Sequence, residues 1–334
     1  MSPLAIEKPR FSGVLLHPTS LPGGNVCGTF GDPSRRWIEL LSRNKISTWQ
    51  FLPLSPTDST GSPYSSPSSF AFNPWFLDPY DLAEEGFIDS EVIKELPDNI
   101  QSTDNSQINF KLANLHCHHL GKSLRKRWVN QDPLKHLEFK IWSSKQFWLE
   151  DHALFMEIKR QNNGLPWWEW PEDLSIHNIS KLNMWKKSNK DNLLEHSLVQ
   201  WHLNRQWNVL RKLAKDQGIL LFGDLPFYVS RDSADVWANR SLFSVLSNGN
   251  LSSQSGVPPD YFSETGQLWG TPIYRWQKHK RTNYMWWRKR FKRQWSQVDL
   301  LRLDHFRALV SYWSVPGDES TAQNGCWLPS PGLH

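Results

Sequence analysis

The run Arg302-Leu303-Asp304-His305-Phe306-Arg307 sets an acidic side chain between two arginines at the end of an apolar stretch, and 30 residues follow Asp304. A carboxylate at the C-terminal tip of a β-strand, with a guanidinium two residues earlier on the same face, suits nucleophilic chemistry. Arg302 is expected to favour the ionised carboxylate and keep it ready near neutral pH. A structural ion pair closing a strand end explains the same two residues, and on their own they do not separate the two readings. Such chemistry commonly needs a second carboxyl group for proton transfer. Glu319 is the one glutamate after Asp304, and it stands in a Gly-Asp-Glu-Ser turn.

Four short apolar runs supply strands that could hold these groups: Gly13–Leu16, Ser47–Leu52, Ile219–Phe222 and Val298–Leu303. Each is bounded by Gly, Pro or polar residues, as buried strands are. Between the first two, Asp32 is expected to cap a helix with Pro33 at its first position and Trp37, Ile38 and Leu41 on one face. Leu203, Trp207, Leu210 and Ala214 mark a second helix over about 194–216, ended by Gly218. Strand, helix and strand recur, which predicts an α/β fold with a parallel sheet and the candidate residues at the C-terminal strand ends. A closed barrel of this kind needs eight strands, and after Leu303 the sequence leaves room for little more than one helix or loop.

Two long loops interrupt the pattern. Pro53 to Pro79 is rich in Ser and Pro but carries Tyr64, Phe70, Phe72, Trp75 and Phe76, so it is expected to be ordered and functional. Pro226 to Arg281 is the second, and residues of about 226–281 are expected to form a substrate-covering loop region. Residues of about 82–154 read as an inserted helical subdomain within one partial barrel spanning 1–334.

The composition, with 38% hydrophobic and 21% charged residues, is that of a soluble globular chain. Cys27, Cys117 and Cys326 are odd in number and widely spaced, which argues for a reducing compartment and against a disulfide framework or a zinc site. No run approaches the roughly 20 apolar residues of a membrane helix, so a cytoplasmic protein without a membrane partner is expected. The formal charge of +5 raises the question of nucleic acid, and the densest basic run is Arg288-Lys289-Arg290 with Lys292 and Arg293. Tyr284, Trp287, Phe291 and Trp295 would form one apolar helix face there, with most of the basic residues elsewhere in solvent, so no nucleic-acid partner is expected. There is no phosphate-cradling Gly loop, nucleotide fingerprint or metal-ligand cluster, and no cofactor or metal is implied. Tryptophan is abundant at 20 residues, and those in Pro/Gly-rich loops, Trp167, Trp168, Trp170 and Trp269, could offer flat faces to sugar rings.

A family resemblance binds these features together. His17-Pro18-Thr19-Ser20-Leu21-Pro22-Gly23, Ser62-Pro63-Tyr64, Gly223-Asp224-Leu225-Pro226, Asp232-Ser233-Ala234-Asp235-Val236-Trp237, the run from Gly256 to Gly270, and Arg302 to Arg307 occur in that order. Together they resemble the amylomaltases, the 4-α-glucanotransferases of glycoside hydrolase family 77. The long Gly256 to Gly270 match carries most of the specificity. The resemblance implies a (β/α)8 TIM-barrel type of fold and a retaining double displacement that transfers α-1,4-glucan segments between maltooligosaccharides.

By positional match, Asp304 is implied as the nucleophile with Arg302 beside it. Tyr64 would stack near the cleaved sugar, Asp224 and His305 would bind hydroxyls, and Gln267 and Trp269 would line donor subsites. Tyr261 and Phe262 would tip the substrate-covering loop. The sequence departs from the family pattern at Ala308, where Gly is typical, and at Ser330-Pro331-Gly332. The family's acid/base glutamate and third catalytic aspartate lie further beyond the nucleophile than the residues that remain. The chain is therefore expected to be about the first half of the barrel, C-terminally truncated. It could act with a complementary C-terminal chain or by self-association, and the alternative is a non-catalytic α-glucan-binding fragment.

Overall fold

The structure, a computed structural model, describes residues 11–96 and 107–332. Eight strands run through the described residues: β1 (Gly13–Leu15), β2 (Thr48–Gln50), β3 (Leu220–Leu225), β4 (Ser253–Val257), β5 (Gln267–Pro272), β6 (Leu300–Leu303), β7 (Ser311–Pro316) and β8 (Cys326–Pro329). The four strands expected from the apolar runs, β1, β2, β3 and β6, form one parallel sheet in that order. Its crossovers are helical, as parallel pairing requires. The helix Asp32–Arg43 links β1 to β2, Lys190–Asp216 leads into β3, and Met285–Trp295 leads into β6.

The first crossover helix begins one residue away from the expected cap. Gly31 holds the N-cap position and Asp32 is already helical, with Pro33 following. Close packing explains the glycine, because a Cβ on Gly31 would lie 2.1 Å from Asp78 Oδ2. Asp78 is buried and accepts from Thr29 Oγ1 at 2.5 Å and from the backbone N–H groups of Tyr80 and Asp81 at 3.0 Å. It therefore fastens the loop after β1 to the end of the 53–79 segment.

The core under the sheet is aromatic. Trp49, Phe51, Phe30, Phe76 and Trp207 are buried together, with Phe30 and Trp207 centroids 4.7 Å apart. Trp207 also donates from Nε1 to Gln297 O at 2.9 Å, tying the long helix to the approach of β6. Truncating such a residue to alanine typically costs about 3–5 kcal/mol. Among the described residues after the 53–79 segment and before β3 the chain is largely helical, with Phe110–Trp128 and Pro133–Ser143 inside the expected 82–154 region and Leu149–Gln161 crossing its end. The helical stretch runs further than expected, through Ile179–Ser188.

Two expectations are corrected. The 226–281 region contains β4 and β5, and β7 and β8 follow Leu303, where little more than one helix or loop was expected. These four strands make a separate antiparallel sheet, ordered β5-β4-β7-β8. The sequences Ser-Gln-Ser-Gly-Val and Gln-Leu-Trp-Gly-Thr-Pro have no apolar run; they become strands by pairing with each other in a hairpin and, for β4, with the distant β7. The second correction concerns the Met285–Trp295 helix. Its buried residues are Trp286, Trp287, Arg290 and Arg293, whereas Trp295 is 53% exposed. Arg290 turns inward because Phe227 O and Pro226 O accept from its guanidinium at 2.9 and 2.7 Å, and Arg293 gives Nε–H to Phe70 O at 2.9 Å. Two members of the basic run thus serve the interior. No helix of the described residues is long and apolar enough to cross a membrane.

Candidate active site

The parallel register of β3 and β6 sets Asp224 opposite Arg302. Arg302 spans two carboxylates from that position. One guanidinium nitrogen donates to Asp224 Oδ2 and the other to Asp304 Oδ1, each at 2.5 Å. Asp304 stands just beyond β6, where its backbone N–H continues the ladder to Leu225 O at 3.0 Å. Tyr64, from the long Pro53 to Pro79 segment, donates its hydroxyl to Asp224 Oδ2 at 2.7 Å. One oxygen of Asp224 therefore takes two donors while the other, Oδ1, is buried without a partner. Such an atom carries a desolvation penalty unless a ligand or water supplies a donor.

His305 follows in the left-handed region at φ 46°, a rare conformation outside glycine that is often found at functional sites. Its ring meets Trp269 edge to face at 4.9 Å and lies 6.1 Å from Tyr228, and its Nε2 is buried without a hydrogen-bond partner. Burial raises the Asp224 carboxyl above its ordinary value, against the hydrogen bond from Tyr64 and the charge of Arg302. The Tyr64 phenol is pushed up to about 12 by burial and then by its bond to Asp224, so it remains a donor across the physiological range. Burial lowers His305, partly offset by Asp304. Partial burial works against the Arg302 charge, but Asp224 and Asp304 outweigh it and raise its pKa.

The antiparallel sheet brings in the remaining residues. In the β4–β5 hairpin a Cβ on Gly256 would lie 2.3 Å from Gln267 O, so glycine is needed for the strands to close. Gln267 Oε1 then accepts from Trp269 Nε1 at 3.2 Å, and Trp269 faces His305. At the hairpin tip, Asp260 Oδ1 accepts from the N–H groups of Phe262 and Ser263 at 2.9 Å. That turn leaves Tyr261 and Phe262 97% and 92% exposed, touching each other but none of the carboxylate cluster.

The structure thus gathers Tyr64, Asp224, Arg302, Asp304, His305, Trp269 and Gln267, and holds Tyr261 and Phe262 out in solvent. Of the other loop tryptophans, Trp167 and Trp170 are core residues, and Trp168 lies under the Arg231 guanidinium at 3.7 Å. Sequence reasoning missed Tyr228, whose ring bridges His305 and Trp269. An aromatic pair directly after the β3 carboxylate, Phe227-Tyr228, was the available signal. It also missed Arg290, which pins the carbonyls of Pro226 and Phe227 just beyond Asp224. Beneath Tyr64 the packing leaves a cavity of only about 20 Å³. A much larger one of about 930 Å³ opens beside Pro63 and runs past His17 towards Trp75 and Phe110. Among the described residues there is no group of three His, Cys, Asp or Glu that could hold a metal ion.

Carboxylates bridged by arginine at the C-terminal ends of parallel strands, beside an aromatic wall, stand where the sites of α/β barrel enzymes lie. The comparisons with known proteins make this specific. The glycoside hydrolase family 77 profile, described as 4-alpha-glucanotransferase, matches residues 16–334, and the chain belongs to that family. A 4-alpha-glucanotransferase of Synechocystis is 41% identical over 97% of this chain, and one of Aquifex aeolicus is 38% identical over 97%. The chain spans 64% of the length of each of these relatives. Among solved structures, the amylomaltase from Streptococcus agalactiae in complex with acarbose superposes with a TM-score of 0.90 at 33% identity, covering 97% of this chain and 65% of that one. The parallel sheet is accordingly part of a (β/α)8 TIM-type barrel.

Proposed function

We propose that this chain carries the nucleophile half of a 4-α-glucanotransferase that moves α-1,4-glucan segments between maltooligosaccharides. The observation that carries the reading is the Arg302 fork, which holds Asp304 at the strand end while leaving the carboxylate partly open. In the reaction, an Asp304 oxygen attacks the anomeric carbon, the glycosidic C1–O4 bond breaks, and the leaving oxygen takes a proton. The acceptor's 4-hydroxyl then attacks C1 and gives up its proton, and the Asp304–glucosyl bond breaks. Asp224 Oδ1 and His305 Nε2 take sugar hydroxyls, Tyr64 stacks at the cleaved unit, and Gln267 and Trp269 line the donor side. Tyr261 and Phe262 close over the bound glucan and exclude water, which favours transfer over hydrolysis.

The proton donor is the part the cluster does not supply. Asp224 receives bonds from both Arg302 and Tyr64 on one oxygen, an arrangement suited to accepting sugar hydroxyls rather than protonating a leaving group. We assign the acid/base carboxyl to the part of the family's length that this chain does not span, as it covers 64% of the relatives' length. The cytoplasmic placement rests on three free cysteines.

The test is a transfer assay on maltotriose, with released glucose and longer products quantified for the chain alone, for the chain with its complementary C-terminal segment, and for Asp304→Asn in both settings. Asp304-dependent disproportionation only after adding the segment is the expected result. Turnover that survives Asp304→Asn overturns the assignment. Maltotriose binding without turnover in the complemented sample supports a non-catalytic glucan-binding protein instead.

A further inference from the structure

A third cavity, of about 210 Å³, lies where the start of the Leu149–Gln161 helix, the Ala234–Ala238 helix and the Met285–Trp295 helix meet. None of its lining residues belongs to the Arg302 cluster. Phe147 forms one wall, 45% exposed, packed edge to face on Phe70 at 5.0 Å, with Lys289 Nζ 4.2 Å from its ring centroid. Trp148 and Trp286 complete the apolar lining. Both are more than nine-tenths buried, and neither indole N–H has a hydrogen-bond partner.

The polar lining has both signs. Asp151 engages His177 Nε2 through Oδ1 at 3.3 Å and leaves Oδ2 for another donor. Asn239 gives its amide N–H to Asp235 O at 3.0 Å, which leaves its side-chain carbonyl as an acceptor. Lys289 is a donor whose ammonium lies over the Phe147 ring. Asp235 is already occupied, accepting from Ser69 N–H at 2.8 Å and Ser69 Oγ at 3.0 Å.

An anion would meet Asp151, a cation would meet Lys289, and an apolar ligand would strand both. A neutral ring bearing several hydroxyls matches every group: hydroxyls donate to Asp151 and Asn239, one accepts from Lys289, and a C–H face lies on Phe147. We propose that this cavity is an accessory binding pocket for a glucosyl unit of an α-glucan, separate from the Arg302 cluster. The choice of glucosyl among neutral sugars rests on the function proposed above. The pocket lies back to back with that cluster, because Ser69, held by Asp235, also lines the small cavity beneath Tyr64.

Maltotriose binding to the full chain, followed by saturation-transfer NMR titration, tests the proposal with two sets of variants. Tyr64→Ala with Asp224→Asn disables the cluster, while Phe147→Ala and Asp151→Ala alter the accessory pocket at side chains exposed enough to spare the fold. The expected result is saturable binding that persists in the cluster variant and weakens about tenfold or more when either pocket change is added. Binding that disappears in the cluster variant and is untouched by the pocket changes overturns the accessory site and leaves the proposed function standing. Binding indifferent to the cluster variant but abolished by the pocket changes supports the accessory site and counts against the sugar-binding roles of Tyr64 and Asp224.

Discussion

Two carboxylate–arginine clusters in this molecule differ in what they leave undone. Glu157, on the Leu149–Gln161 helix, is 1% exposed and receives Arg160 Nε and NH2 at 2.8 and 2.5 Å, Gln161 and Asn192 at 2.8 Å, and His196 at 3.3 Å. Burial alone would raise its pKa, but these donors outweigh it and hold the carboxyl well below the usual range. Nothing is left for a ligand to satisfy. In the Arg302 cluster, by contrast, Asp224 keeps a buried oxygen unpartnered and a raised pKa, and the Asp304 side chain is 36% exposed. A saturated cluster stabilises a fold, whereas an unsaturated one stores binding capacity at some expense in stability.

The sharpest way to break this contrast is Asp304→Asn in the complemented enzyme. Transfer should fall on the order of 10⁴-fold or more, as for loss of other nucleophiles, with the denaturation midpoint nearly unchanged. A small loss of rate would end the nucleophile assignment. Glu157→Ala should do the opposite, destabilising by about 3 kcal/mol in urea unfolding because it strands several donors, and leaving maltotriose affinity unaltered.

Asp224→Asn distinguishes the clusters more finely. Stability at pH 7 should change by less than about 1 kcal/mol, since the charge removed is one that burial opposes, while maltotriose binding at the Arg302 cluster itself should weaken about tenfold. The signs with pH follow. Glu157, depressed, contributes stability that is present above its unfolded pKa and lost as pH falls through its folded value. Asp224, raised, is protonated more readily in the folded chain, so its ionisation penalty is relieved as pH falls through that raised value. Acid titration of the wild type against Glu157→Gln and Asp224→Asn should therefore give stability profiles that separate in opposite directions. The smallest effect is expected at Tyr261→Ala, with stability within about 0.5 kcal/mol of wild type.

The parallel sheet was legible because its strands are short apolar runs between Gly, Pro and polar breaks, a local signal. The antiparallel sheet was not, because β4 and β5 contain Ser, Gln, Gly and Pro and have no apolar alternation, and β4 is held on its other side by β7, some 60 residues away in sequence. Burial of Arg290 and Arg293 was equally hidden, since the carbonyls that receive them come from residues 226, 227 and 70. At the site, the Arg302–Asp304 pair followed from strand alternation. Tyr64 on Asp224, 160 residues apart, was reachable only through family resemblance, and for the Tyr228 bridge the Phe227-Tyr228 pair after β3 was the one local signal.

The register of β6 against β3 has a further consequence. β6 is the outer strand of the described parallel sheet, held on one side only. A slip of one residue would turn Arg302 to the opposite face, and a slip of two would carry it roughly 7 Å along the strand. Either would break both arms of the guanidinium fork at once. The arginine thus acts as an alignment key during assembly, so that a mis-zipped sheet forfeits its bonds to both aspartates before any substrate arrives.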